Sequence, residues 1–198
     1  MFGLYISHPE VAIDPDVPIP RWGLSEKGHQ RARVAAASGW ARGLGRIVSS
    51  DETKALETAA LLAEASGVPV EVLADSGEND RSATGFLPPA EFEAAADSFF
   101  AEPAVSFRGW ETADHARARI VRAVTSVLDA HDPSIPIAFI GHGGVGTLLF
   151  CHLSGIPVSR AHDQGPGGGG NLFAFSLARR RPVCKWTRIE DWQGWTDG

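Results

Sequence analysis

Two histidines stand at the ends of apolar runs. His8 follows Leu4, Tyr5, Ile6 and Ser7, and His142 follows Ile137, Ala138, Phe139, Ile140 and Gly141 within Gly-His-Gly-Gly. A neutral imidazole, with a reference pKa of about 6.5, is largely an available nucleophile near neutral pH. Gly141, Gly143 and Gly144 permit tight backbone at a helix N-terminus, where unpaired amide donors favour an anion. Glycine-rich turns between strand and helix are common, and a histidine inside one can merely cap the helix. A second histidine at an equivalent strand end, with Ser49 and Ser50 ending a third run, is harder to attribute to capping.

These residues need a scaffold that brings strand ends together. Strand-like runs over 3–7, 46–49, 70–73, 137–141, 171–177 and 183–189 alternate with helical patterns over 26–40, 51–66, 89–101, 112–131 and 144–154. That alternation predicts an α/β three-layer sandwich around a mostly parallel sheet. The last two strands are joined by only 178–182, short enough for a hairpin, which predicts an antiparallel edge. In open α/β sheets ligands bind beyond the carboxyl ends of parallel strands, where both histidines fall. Ala116, Ile120, Val124, Val127 and Leu128 mark one apolar face of the fourth helix. Ser50 is expected to cap the helix over 51–66, with Asp51 and Glu52 in its first turn. The stretch 163–170, with glycines at 165 and 167–170, reads as a mobile connector rather than an active-site flap. Residues 78–110 hold aromatics and prolines without a strand pattern and are expected to form an insertion over the active-site end of a single domain, 1–198.

The chain has 198 residues and a formal net charge of -6. That balance argues against nonspecific nucleic-acid binding, which needs a basic surface. The first apolar stretch is too short for a signal-peptide core, and no run approaches the roughly 20 apolar residues of a membrane span. A cytoplasmic protein without membrane contact is expected. Cys151 and Cys184 have no framework or metal spacing and are expected to be reduced. No histidine, cysteine or acid cluster has convincing ligand spacing, so neither metal nor cofactor is expected. A dinucleotide site at 141–144 lacks the acidic residue that would follow the glycine fingerprint.

With its motifs taken in order, the chain resembles the histidine phosphatase superfamily, which includes the phosphoglycerate mutases. Residues 4–10 stand where that family has a strand ending Arg-His-Gly-Glu, and 24–32 resemble its Leu-Thr-x-x-Gly-x-x-Gln-Ala helix start, with the glutamine shifted by one. Ser49 to Ala59 are similar to Ser-Ser-x-x-x-Arg-Ala-x-x-Thr-Ala, and 140–144 match the second histidine motif. The resemblance implies that His8 attacks phosphorus and becomes a phosphohistidine. It also implies that His142 binds the phosphoryl oxygens with the residue at position 54 beside it. The acid that protonates the leaving oxygen is sought after the third strand, with Glu78 first, then Asp80 and Asp75.

Three positions depart from that pattern. Ser7 stands for the first arginine, Pro9 for the glycine and Lys54 for the second arginine. Arginine offers a planar fork that matches phosphate bidentately, whereas lysine is a flexible point charge and serine a neutral donor. Arg81 and Arg21 are the leading candidates to restore the lost charge, ahead of Arg160, His162 and Arg108. His29, His115, His131 and His152 read as structural or surface residues. The expected function is a phosphatase acting on a phosphorylated small molecule or phosphoprotein, and the rival is a family member that binds such a ligand, or a partner protein, without catalysis. Trp22, Phe86, Phe99, Phe100, Trp110, Trp192 and Trp195 supply core, pocket or homodimer surface, and the tryptophan-rich tail is expected to dock on the body or on a second subunit.

Overall fold

The computed structural model describes residues 1–194; Trp195 and the rest of the tail lie outside them. Seven strands form one sheet in the order β3-β2-β4-β1-β5-β6, with β7 also pairing with β5. They are β1 (Phe2–Ser7), β2 (Arg46–Ser49), β3 (Val70–Val72), β4 (Ile137–Gly141), β5 (Asn171–Ser176), β6 (Arg181–Pro182) and β7 (Thr187–Arg188). The first four in that order run parallel, and β5 turns antiparallel to β1, with β6 and β7 antiparallel to β5. The mostly parallel sheet with an antiparallel edge is therefore as expected, although the strand predicted over 183–189 is reduced to β7, and β6 falls in the stretch expected to be the connection.

Strand alternation divides the core between two faces. Tyr5, Phe139, Phe173 and Phe175 pack against α4 (Pro89–Ala101), α5 (Ala113–Asp129) and α6 (Gly143–Ser154). Leu4, Ile6, Ala138, Ile140, Leu172 and Ala174 face α1 (Glu26–Ala36), α2 (Gly39–Arg42) and α3 (Thr53–Ser66). The three layers follow directly from that split. The helix expected over 26–40 is interrupted because Ser38 starts a new one, its Oγ accepting from Ala41 N at 3.4 Å. Thr112 caps α5 by accepting from His115 N, and Ala116, Ile120, Val124 and Leu128 are buried on its inner face.

Ser50 does not cap α3. That helix begins at Thr53 after Glu52, which makes no side-chain cap, and the Ser50 hydroxyl is engaged elsewhere. Trp192 docks on the body, its ring 5.5 Å from those of Phe2 and Trp40. Among the described residues no helix is long and apolar enough to cross a membrane.

Candidate active site

The register of β1 and β4 places the two histidines side by side. Ser7 pairs with Gly141, His8 N donates to Gly141 O at 3.0 Å, and the two imidazole centroids lie 5.2 Å apart. Gly141 is required because a Cβ there would stand 2.4 Å from the Tyr5 hydroxyl. That buried hydroxyl accepts from His142 N at 3.1 Å and donates to His142 O at 3.2 Å. Tyr5, not singled out in the sequence, thus fixes the backbone of the second histidine, and burial raises its pKa.

His8 is half-buried at the wall of a cleft of about 940 Å³. Its Nδ1 lies 2.7 Å from Pro9 O. A carbonyl only accepts, so Nδ1 carries the hydrogen and Nε2 keeps its lone pair. Burial, then the neighbouring His142, pull the His8 pKa down to about 3. The ring is a neutral base throughout the neutral range.

His142 has no exposed surface. Its Nε2 is 2.8 Å from Ser50 Oγ and 3.4 Å from Glu52 Oε1, and its Nδ1 has no hydrogen-bond partner among the described residues. Burial lowers its pKa against the opposing pull of Glu52 and Glu78. Glu52 holds this group together. It takes the Lys54 ammonium in an ion pair and accepts from Glu78 N at 2.8 Å. Burial alone would raise the Glu52 pKa, but His142 and Lys54 outweigh it and bring it to about 2. The Lys54 side chain is only 4% exposed and also donates to Ile19 O at 2.7 Å. Lys54 is therefore held behind the cleft wall and paired with an acid, rather than free to meet a phosphate as expected.

Glu78 lines the cleft at the N-terminus of α6, accepting from Gly144 N at 3.0 Å and Val145 N at 2.9 Å. A carboxylate thus occupies part of the anion site anticipated at this turn. Its segment is clamped by Arg119, which donates to the carbonyls of Asp75, Gly77 and Glu78 at 2.8, 2.9 and 3.1 Å. Asp80 is exposed and caps a local turn at Ser82, and Asp75 is exposed opposite Arg122. Of the three carboxylates proposed from the sequence, Glu78 is the one that lines the cleft.

Ser7 is fully buried and does not line the cleft. Its hydroxyl accepts from Asn171 N at 3.1 Å and faces Gln164 Oε1. The glycine-rich stretch is not a free connector. Residues 165–169 line the cleft, and the Arg31 guanidinium donates to the carbonyls of Gly169 and Gly170, both at 2.8 Å, while paired with Glu190. Gly169, at φ +76°, lies so close that a Cβ would stand 2.2 Å from His8 O, and Gly170 N donates to that same carbonyl at 2.8 Å. The glycines permit this close approach, which a sequence reading of composition does not reveal.

Arg81 also lines the cleft, its guanidinium 5.1 Å from the Phe92 ring centre and 5.7 Å from that of Trp110. Arg160 lines it too but is paired with Glu93 and Asp97. Arg21 is exposed in the short 3-10 turn Ile19–Arg21 and is not among the cleft-lining residues. That turn instead offers its Ile19 carbonyl to Lys54. Among the described residues no group of three or more His, Cys, Asp or Glu side chains is arranged to hold a metal.

The model of the histidine phosphatase superfamily (branch 1) matches residues 13–188. The chain belongs to that superfamily. The matched stretch includes Lys54, Glu78 and His142 and begins beyond His8. Solved structures with the same fold include a mycobacterial glucosyl-3-phosphoglycerate phosphatase with inorganic phosphate, 24% identical over 96% of this chain and 98% of that one, TM-score 0.77. A protein described as mycobacterial hydrolase 1 is 24% identical over 88% of each chain, TM-score 0.74. YhfR of Bacillus stearothermophilus is 20% identical over 87% and 89%, TM-score 0.71. No curated protein matches the chain. As a histidine phosphatase superfamily member, this chain combines two adjacent strand-end histidines with a buried acid, Glu52, and a buried serine, Ser50, against the second.

Proposed function

We propose that this chain is a phosphatase that hydrolyses a phosphoric monoester or phosphohistidine through a phosphohistidine intermediate on His8. The observation that carries the reading is the Nδ1 contact of His8 with Pro9 O, which leaves a neutral Nε2 as nucleophile at the cleft. In this mechanism Nε2 attacks phosphorus as the bond to the leaving oxygen breaks, and Glu78 in its acid form gives that oxygen a proton. Water then attacks the phosphohistidine, its proton returns to Glu78, and phosphate leaves with His8 neutral again. Arg81, one of two arginines lining the cleft and, among the described residues, the one without an acid partner, supplies positive charge to the phosphoryl oxygens. Residues 78–110 serve as an insertion over this end of a single domain, and the substrate is a phosphorylated small molecule or phosphoprotein.

The missing arginine forks set the expected rate. Each lost charge-assisted hydrogen bond of about 1.5–3 kcal/mol, if made only in the transition state, slows the reaction by about one to two decades. Wild-type protein should release nitrophenol slowly from p-nitrophenyl phosphate, and the His8→Asn variant should not exceed the buffer rate. Equal rates in the two proteins would overturn the assignment. A second reading, phosphate binding without turnover, is favoured by one observation: the Glu52 carboxylate lies against both His142 and Lys54. It predicts measurable phosphate binding with no hydrolysis by wild-type protein.

A further inference from the structure

Gln164 lies on the loop between α6 and β5, and its amide orientation can be deduced from its neighbours. Asn171 Nδ2 donates to Gly169 O at 3.2 Å. Because a backbone carbonyl only accepts, the atom of Asn171 facing that way is the amide nitrogen. The same nitrogen lies 3.2 Å from the Gln164 side chain, whose facing atom must therefore be the acceptor Oε1. Ser7 is compatible with this assignment: its oxygen accepts from Asn171 N, and its hydroxyl hydrogen faces both Gln164 Oε1 and, at 3.1 Å, Asn171 O. The Nε2 group consequently points the other way, towards the first residue of α6, where a Cβ on Gly143 would stand 2.1 Å from it.

The base of the residue is equally fixed. Gln164 N donates to Asp163 Oδ1 at 2.7 Å, and the same oxygen lies 3.0 Å from Thr147 Oγ1 on α6. Gln164 lines the cleft together with His8, Gly143, Gly144 and Glu78. No hydrogen bond occupies its Nε2 among the described residues. A preoriented amide with two hydrogens therefore stands beside the turn carrying His142, while the amides of Gly144 and Val145 are taken by Glu78.

We propose that Gln164 is a phosphoryl-binding residue, its Nε2 donating to a non-bridging oxygen of the phosphoryl group brought to His8. Ser7 and Asn171 are its positioning residues. A neutral amide held by two polar neighbours thereby supplies the donor that Ser7, buried and short, cannot extend into the cleft. The proposal rests on the phosphatase reading of the His8 cleft.

Isothermal titration with inorganic phosphate on the full-length protein tests it with two variants. Gln164→Leu should weaken phosphate binding about tenfold or more, the loss expected for one hydrogen bond to a charged group, and should lower kcat more than it alters KM if the bond tightens in the transition state. Gln164→Glu keeps an oxygen for Ser7 and Asn171, so it should melt close to wild type while binding phosphate still more weakly near neutral pH. Its deficit relative to wild type at the same pH should shrink on acidification, as the protonated carboxyl recovers a donor. A deficit that does not change with pH overturns the proposal. Phosphate binding by both variants equal to that of wild type overturns it while leaving the phosphatase reading intact. Failure of wild-type protein to bind phosphate removes the phosphatase reading and this proposal together.

Discussion

Replacing Glu52 by glutamine separates two effects that the structure places on one side chain. Glu52 and Lys54 are 9% and 4% exposed, and removing one member of a buried ion pair costs about 3–5 kcal/mol because the other charge is left unpaired. Glu52→Gln should therefore lose about 3 kcal/mol of unfolding free energy in phosphate-free buffer. The same substitution should favour anions. Glu52 Oε1 is 3.4 Å from His142 Nε2 and the carboxylate accepts from the backbone of the cleft-lining Glu78, so its charge opposes an anion in the adjoining cleft, by about 2 kcal/mol at about 8 Å and an effective dielectric constant of 20. About two-thirds of that is tenfold in affinity. Urea titrations with and without inorganic phosphate read both effects, since a ligand stabilises the native state according to its concentration relative to Kd. Phosphate should recover much of the stability lost in Glu52→Gln and stabilise wild type far less. Equal phosphate stabilisation of the two proteins would refute the inference that the Glu52 charge opposes anion binding in the cleft.

Other outcomes follow from the same geometry. Arg81→Met keeps the packing on Phe92 and Trp110 and removes the charge; kcat/KM should fall about 10- to 100-fold with a stability change within about 1 kcal/mol, and unchanged steady-state kinetics would exclude Arg81 from the site. His8 and His142 both have pKa values below the unfolded value of about 6.5, so the unfolded chain binds more protons on acidification. Stability should therefore fall as pH drops from about 6.5 to 5, by about 1.4 kcal/mol per pH unit for His8, with His142 adding to the slope in the same direction and His8→Asn removing the His8 share in urea midpoints. Gly165 and Gly169 both have positive φ, +80° and +76°, but only a Cβ on Gly169 would meet His8 O. Both alanine variants should lose about 1–2 kcal/mol to backbone strain, and only Gly169→Ala should also lower kcat, as phosphatase assays at matched folded fractions would show.

The scaffold was legible because it is written in local periodicity. Alternation in β1, β4 and β5 divides the two cores residue by residue, and the Gly-His-Gly-Gly turn marks where β4 gives way to α6. Both strand-end histidines could be located from that information alone. What escaped depends on contacts between distant residues. Glu52 reads locally as an acid in a helix's first turn, and only the fold brings it to His142. Gln164 meets Ser7, and Arg31 meets Gly169, across more than a hundred residues, with no repeat or spacing to announce either pair. Arg119 carried a weak signal, a cation on the polar face of an otherwise clear amphipathic helix, but its partners are loop carbonyls that only the folded chain assembles. The glycines at 167–170 were misleading for a related reason. Composition suggested freedom, whereas their missing side chains let the loop pack against His8 and the Arg31 guanidinium.

The central claim is that phosphorus becomes bonded to His8 during turnover. Rapid quenching of wild-type protein with a radiolabelled phosphomonoester, followed by peptide mapping, tests it most directly. Turnover through His8 predicts an acid-labile, base-stable label on the peptide containing His8, formed before phosphate release and absent from His8→Asn. Hydrolysis of the labelled ester with no label on that peptide at any quench time would contradict it.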